Sequence, residues 1–489
     1  MHPLDISKKL FDIWNENGIN YCHWKSNEHL LEGLAGETDL DVLCDSKQKE
    51  DVTRLLKECG YLQLESQFGS RYPFVEDWIS CDEKTGKLIH IHLHYEIITG
   101  HQGMKEFTLP WGELSLSTRV LEENYNVYIS DSNLEIVILL SRIGLKSTKD
   151  KKKAARKGSY KLSEGDVREI DYLKSRINKE KVQNIVQSYF GDESEHFMKL
   201  IYTGVQDSAW YLELDKCVNK CLGKYSRIKG IKKALYRAWY YLAIRFRKYY
   251  NKYISEKFFT KKSFGSGKGV IIAFLGQDGA GKSTVTNEVK KWLNWKVDSR
   301  RYYLGSGDHY FSFWKKMAQA LSGKGGVLGT LQKICAIKDL CHLSKHVLSL
   351  TKKAKKYAEK GGVAIFDRYP QVMYFGINDG PKIRPALENK NYPKLLMKIL
   401  GRMADKEEKN YKRAIETKPD LVIKMILPPE VSIQRKPEES LEAVKIKHEI
   451  IKNLKFEDSK VLTIDATMNF EEELVLVHNE FWEQLIKKA

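Results

Sequence analysis

Cysteine is scarce and scattered in this chain: eight residues in 489, with no C-x-x-C pair and no dense framework. That excludes a disulfide-stapled scaffold. Cys217 and Cys221 fall four apart, a spacing that shares a helix face, but no neighbouring histidine in the sequence completes a zinc set. Reduced structural thiols in a cytosolic protein are expected. Also missing are an N-terminal basic segment followed by an apolar run, the mark of a signal peptide, and any stretch of the ~18 apolar residues that a membrane span needs. No repeat with a period of about 20 to 50 residues is present. These absences predict a cytoplasmic protein, at most peripheral to the inner face of a membrane.

Acidic residues are missing from one segment in particular. Lys216 to Lys268 holds sixteen basic residues against Glu256 alone, +15 of the chain's net +18. The remainder is close to neutral, so the high isoelectric point does not mark the whole protein as nucleic-acid-binding. Aromatic residues such as Tyr236, Trp239, Tyr240, Phe246 and Tyr253 are interleaved with these charges. On a helix, Leu235, Trp239 and Leu242 share one face, with Phe246 nearby. Three readings stay open: a helix packed against the protein's own domains, an interfacial helix on an anionic membrane, and, least favoured, a nucleic-acid-binding segment.

The length, with 42% hydrophobic residues, suits two or three domains. Residues 4–17 read as an amphipathic helix and Tyr21 to Trp24 as a strand. Thr38 to Cys44 reads as a second strand, and Lys47 to Cys59 as a helix. Trp78 to Cys81 and Lys87 to Tyr95 flank a hairpin turn at Asp82 to Gly86. This predicts a small α+β domain over 1–130. A helical extension follows over 131–215, with a mobile lysine-rich loop at Lys149 to Lys157, and then a basic aromatic helical linker over 216–268. After the flexible junction Phe264-Gly265-Ser266-Gly267, short apolar strands alternate with helices. They are Val270 to Leu275, Tyr302 to Leu304, Val363 to Phe366, Leu421 to Ile426 and Val461 to Ile464. Five buried strands with helical crossovers predict an α/β fold with a doubly wound parallel sheet over 269–489.

Within that region, Gly276-Gln277-Asp278-Gly279-Ala280-Gly281-Lys282-Ser283-Thr284 fits G-x-x-x-x-G-K-[ST], after an apolar strand and before a helix. Glycines let backbone N–H groups close around phosphate oxygens, and the helix N-terminus adds a favourable dipole. Lys282 reaches the β- and γ-phosphates of a nucleoside triphosphate, and Ser283 holds Mg²⁺. A second apolar strand ends in Asp367-Arg368-Tyr369. Its carboxylate points to the same sheet edge, where it holds Mg²⁺ or accepts a proton from the acceptor. Arg368 suits a phosphate or the charge of the transition state.

The stretch Phe274 to Thr284, with Asp367-Arg368-Tyr369, Pro419-Asp420-Leu421-Val422-Ile423 and Pro428-Pro429-Glu430-Val431, resembles the thymidylate kinases over about residues 269 to 489. The resemblance implies a P-loop kinase domain that uses ATP and Mg²⁺. In it Asp367 and Arg368 serve the acceptor phosphate, and Arg435, Lys436, Lys445 and Lys447 lie in or near a lid over the triphosphate. The chain departs from that family at Leu304-Gly305-Ser306-Gly307-Asp308-His309-Tyr310, where an arginine-bearing acceptor loop is expected. It departs again in a basic insertion from about Phe311 to Lys360 and at Asp379-Gly380-Pro381. The acceptor is therefore left as a nucleoside monophosphate or a phosphorylated sugar or glycan.

In the N-terminal region, Asp39 and Asp41 sit at i and i+2, so period two puts both carboxylates on one strand face, close enough to share a divalent metal. Lys25-Ser26-Asn27 precedes them where a phosphate-binding turn would sit. This arrangement resembles the nucleotidyltransferase superfamily over about residues 10 to 100. That family has a third carboxylate on a later strand, whose place His92 takes here. His90, His92, His94 and Glu96 fall on one face of that strand, and Ile89, Ile91, Leu93 and Tyr95 on the other. Three readings of the site therefore stay open: His92 joining Asp39 and Asp41 on a metal, use of Glu96, or a binding site without activity. Arg142 and Lys146 are further candidate phosphate contacts. The whole predicts a P-loop phosphotransferase joined to a nucleotidyltransferase-like domain. The alternative is a nucleotide-binding regulatory or defence protein whose N-terminal domain modifies a macromolecule.

Overall fold

The computed structural model describes residues 1–254, 258–307, 310–323, 325–377, 379–388, 392–437 and 439–488. Asp308 and His309 of the departing loop, and Glu256 and Lys257 of the basic segment, lie outside the described residues. The chain divides into two compact units, Met1–Thr260 and Lys261–Ala489, ahead of the junction expected at 268.

The first unit carries strands β1 Tyr21–His23, β2 Leu40–Cys44, β3 Leu62–Leu64, β4 Val75–Cys81, β5 Leu88–His94, β6 Ile98–Thr99, β7 Phe107–Thr108, β8 Val120–Glu122 and β9 Val127–Ile129. Seven of them form one mixed sheet in the order β3-β4-β5-β2-β1-β9-β8. β4 and β5 are the antiparallel hairpin, closed by Asp82, whose carboxylate accepts from the Thr85 N–H at 3.0 Å and its hydroxyl at 2.8 Å. Along β5 the period of two sends Ile89, Ile91 and Leu93 into a core with Phe11 and Trp14 of helix Asp5–Glu16 and Val52 and Leu56 of helix Lys49–Glu58. Each such large side chain contributes about 1.5–3 kcal/mol by leaving water. The alternate residues His90, His92 and His94 are left on the other face. β2 pairs in parallel with β5, setting Asp41 against His92, and β4 sets Asp77 against the same histidine from the far side.

Helices Ser132–Leu145, Glu164–Lys174, Lys179–Phe190, Ser194–Tyr202 and Ser208–Leu222 enclose a second core around Leu139, Leu173, Val186, Phe197 and Leu214. The lysine-rich stretch expected as a mobile loop is instead helix Lys149–Arg156. Its first turn is capped by the Thr148 hydroxyl, Ala155 is buried, and Lys152 pairs with Asp215 at 2.6 Å. The boundary expected after 215 falls inside helix Ser208–Leu222, and the basic segment continues as one helix, Gly230–Tyr253. Cys217, for which sequence proximity offered no histidine, has Glu193 and His196 within 4.8 Å. Its burial pushes the thiol up to about 12, and Lys220 already engages Glu193, so these groups are not poised as a thiolate site.

The second unit holds β10 Val270–Gly276, β11 Ser299–Tyr303, β12 Val363–Asp367, β13 Leu421–Ile426 and β14 Lys460–Asp465 in one sheet of order β11-β12-β10-β13-β14. Every pairing is parallel. The order reverses at β10, so the crevice beyond the C-terminal ends of β10 and β12 is the switch point where such sheets bind ligands. β11 starts earlier than its apolar pattern suggests, because it is an edge strand whose Arg300 and Arg301 are only half-buried. The junction Phe264 to Gly267 is not a free linker. Phe264 is buried and its N–H donates to Gly361 at 2.9 Å, while the Gly267 N–H donates to Glu359 at 2.8 Å. The basic insertion forms helices Phe313–Ala320 and Gly326–Glu359.

Candidate functional site

The loop that leaves β10 turns into helix Lys282–Leu293 at Gly281. Gly279 and Gly281 stand at φ +84° and +82°, a region that side chains other than glycine rarely adopt. Gly276 and Ala280 serve packing: a Cβ on Gly276 would lie 2.7 Å from the Met425 carbonyl, and Ala280 is buried. A cleft of about 320 Å³ opens beside the loop. It is lined by Asp278, Gly279, Gly281, Lys282, Ser283, Thr284, Tyr303, Asp367, Arg368 and Lys436. Two separated motifs, the phosphate loop and the end of β12, thus share one wall.

Lys282 is buried and donates to the Gln277 carbonyl at 2.8 Å. Burial, then the neighbouring Arg368 charge, lower its pKa to about 8. Ser283 Oγ donates to one oxygen of Asp367 at 3.0 Å; the other oxygen is buried without a hydrogen-bond partner among the described residues. A hydroxyl beside an incompletely satisfied, 1% exposed carboxylate is a donor set that fits a hard divalent cation such as Mg²⁺.

Arg368 holds a left-handed backbone at φ +72°, which costs of order 1 kcal/mol at a residue with a Cβ. Its guanidinium lies 3.1 Å from Asp278 and 3.4 Å from Asp379. Burial alone would lower the Arg368 pKa, but Asp379, Tyr303 and Asp278 more than offset it. Burial likewise opposes ionisation of Asp278, yet Arg368 and Lys282 hold that carboxyl well below the ordinary range. Lys447 reaches Asp278 at 3.3 Å. Arg435 is directed to backbone, donating to the Gly279 carbonyl at 3.0 Å and to Ala466 at 3.5 Å.

In this unit two groups escaped sequence reasoning. Arg301 of β11 ion-pairs with Asp367 and lies 3.3 Å from Asn287. The available signal was its i, i+2 relation to Tyr303, which lines the same cleft. Asp379 had no motif around it, and only the fold brings it to Arg368.

In the first unit, Asp39 and Asp41 meet different histidines. Asp39 lies 2.9 Å from His90 Nδ1, whereas Asp41 lies 3.2 Å from His92 Nδ1, 3.4 Å from His94 Nε2 and 2.8 Å from Lys25. The ligand atoms of Asp41, His92 and His94 fall within 4.8 Å of one another, a spacing that fits one cation. Glu96 lies past the end of β5. The carboxylate nearest to the expected third position is Asp77 of β4, 3.2 Å from His90 and 3.8 Å from His92. Burial lowers the His94 pKa to about 3, keeping it neutral. Burial opposes the Asp41 charge too, but Lys25, His92 and His94 hold its carboxyl well below the usual range.

The turn expected to bind phosphate is already filled. Ser26, at φ +58°, donates its N–H to Glu169 at 3.0 Å, and Asn27 donates its N–H and side chain to Glu135 at 3.1 and 2.7 Å. The amides therefore face the protein's own carboxylates. Burial raises the Glu135 pKa to about 7. Beside this turn, Lys25 and Arg142 both approach the Trp24 ring, at 5.2 and 5.4 Å. Lys105 and Lys146 are near enough to feel them. Burial and then Lys25 bring Lys105 to about 8, while Arg142 first and then burial hold Lys146 well below its usual value. Arg142 Nη1 is buried with no hydrogen-bond partner among the described residues.

The second unit is thus a doubly wound α/β domain with a P-loop at its switch point. The chain is 27% identical over 218 residues to the uncharacterized ATP-binding protein YghR of Escherichia coli K12, covering 42% of this chain and 83% of that protein. It is 26% identical over 212 residues to the uncharacterized ATP-binding protein YghS of the same strain, covering 40% and 85%. No family model matches. Among solved structures, a deoxyadenosine kinase from M. mycoides with bound dATP aligns with 43% of this chain and 98% of its own, at 18% identity and a TM-score of 0.28.

Proposed function

We propose that the second unit is a phosphotransferase that moves the γ-phosphoryl group of ATP to a nucleoside monophosphate or a phosphorylated sugar or glycan. The observation that carries this reading is the Ser283–Asp367 contact of 3.0 Å at the mouth of the phosphate loop, with one Asp367 oxygen left unsatisfied. The two relatives named as ATP-binding support the choice of donor. Backbone N–H groups from Gly279 to Thr284 and the Lys282 ammonium bind the triphosphate, and Ser283 and Asp367 would hold Mg²⁺. That ion would supply charge neutralisation on the β- and γ-phosphates. Arg301 and Arg368 flank Asp367 and supply two guanidinium groups to orient the acceptor phosphate and stabilise the transferring group. Because a phosphate acceptor is largely ionised at neutral pH, no strong base is needed at Asp367.

The test is phosphoryl transfer from labelled ATP by the full chain to dTMP, other monophosphates and sugar phosphates. Wild-type turnover with one acceptor class and its loss in Asp367→Ala is expected. Equal turnover in that variant, or ATP binding unaffected by Lys282→Ala, would sink the reading. For the first unit, the Asp41–His92–His94 cluster and its neighbouring cations favour a metal- and phosphate-binding site of nucleotidyltransferase type, with Asp39 paired to His90 beside it. Calorimetric titration of Mn²⁺ or Zn²⁺ into wild type and Asp41→Asn checks it, and identical heats would remove it.

A further inference from the structure

Helix Gly230–Tyr253 carries seven basic residues and no acidic one. Its rotation on the first unit is set by one face. Tyr240 is buried where Gly69 and Gly103 leave room for its ring, and a Cβ on either glycine would collide with it. Lys233 pairs at 2.9 Å with Glu106, which is 1% exposed. Ile244 packs on the same side, against Gly69. With this face held, the opposite face must point outward.

That outward face is apolar. Ile231, Leu235, Trp239, Leu242, Phe246 and Tyr253 are each 53% exposed or more. At about 100° per residue they fall within roughly an 80° arc, nearly opposite Tyr240. Lys232 borders the arc on one side and Arg245 and Lys252 on the other. A surface helix ordinarily turns such a stripe inward. Trp239, at the margin of the stripe, meets the Phe68 ring edge-on at 4.8 Å and keeps half of its surface exposed, while Ile231, Leu235, Leu242, Phe246 and Tyr253 lie on the side that the unit's own packing leaves bare.

We propose that this helix lies in the interface of an anionic lipid bilayer, its stripe among the upper acyl chains and its flanking lysines and arginines on the headgroups. The composition is that of an interfacial helix: leucine and isoleucine for the hydrocarbon, tryptophan and tyrosine for the boundary, cations at the rim. A nucleic acid would use the rings for stacking and the cations for phosphate, but would leave Ile231, Leu235 and Leu242 without a role. A second copy would bring seven cations against seven. No helix among the described residues is long and apolar enough to cross a membrane, so the contact is one of lying on the surface.

The test is flotation of the full chain with phosphatidylcholine vesicles, with and without one-third phosphatidylglycerol. Co-flotation with the anionic vesicles alone is expected, and Leu242→Ser with Phe246→Ser should lower the partition by at least about tenfold. Those two side chains are exposed, so the melting curve and nucleotide binding should not move. As a second measurement on the unmodified protein, brominated lipid should quench part of the tryptophan emission, and Trp239→Phe should remove that part. No flotation, flotation indifferent to the double substitution, or single-stranded RNA binding or dimerisation lost in that variant without any flotation would each overturn the proposal.

Discussion

Lys282, Ser283 and Asp367 are the residues whose chemistry can be tested most directly. Free Lys282 loses its proton near pH 8 because it is buried beside Arg368. A bound triphosphate raises that pKa again, so binding above pH 8 takes up a proton and affinity falls as pH rises, by up to about tenfold per unit. Calorimetric Kd values for ATP at pH 7 and 9 should show the fall, and Lys282→Arg, which stays charged, should flatten it. Asp367→Asn keeps the Ser283 contact in reach but removes the charge. Its kcat should drop by about 10²-fold or more, with EDTA abolishing wild-type turnover; comparable rates would exclude a metal-holding role. Lys282 and Ser283 were legible because their spacing is local. Arg301, Asp379 and Asp77 were not, because strand pairing or loop folding alone brings them to Asp367, Arg368 and His92.

Among the elements, the turn at Lys25 to Asn27 has the clearest measurable consequence. Glu135 accepts from Asn27 in a site so buried that its pKa rises from 4.5 to about 7. The fold therefore binds a proton that the unfolded chain releases, and stability contributed by neutral Glu135 is lost as pH climbs from about 4.5 to 7. The loss amounts to roughly 3 kcal/mol. Over the same range His23 and His94, which burial keeps neutral in the fold, add stability, so Glu135 is read from the difference between wild type and Glu135→Gln. Urea denaturation of the first unit should show wild type losing ground to the variant between pH 5 and pH 8; a difference that does not change with pH would show that the carboxyl ionises freely. The histidine strand was legible as an element, since alternation over Leu88–His94 is a local signal. Helix Lys149–Arg156 was not, because its lysines mask a Thr148 cap and one buried alanine that acts only through tertiary packing. Of the edge strand β11 only the start was hidden: Arg300 and Arg301 broke the apolar pattern that marked Tyr302 to Leu304 as a strand.

At the scale of the whole molecule, two units with separate sheets and cores predict two unfolding steps. ATP at a hundredfold excess over its Kd should stabilise only one step, by about 2.7 kcal/mol. Tryptophan fluorescence during guanidinium unfolding, with and without nucleotide, reads this; one concerted transition shifted as a whole would contradict it. The sequence by itself determined the P-loop, the parallel α/β pattern of the second unit and the concentration of positive charge in one segment. Each depends on residues adjacent in the chain, where strand period, glycine freedom and charge density act locally. Only the tertiary structure decided which distant groups complete each site, that the Lys25 to Asn27 turn is filled by Glu135 and Glu169, and which face of helix Gly230–Tyr253 turns outward. Those outcomes depend on register and burial, which bring together residues that no spacing along the chain connects.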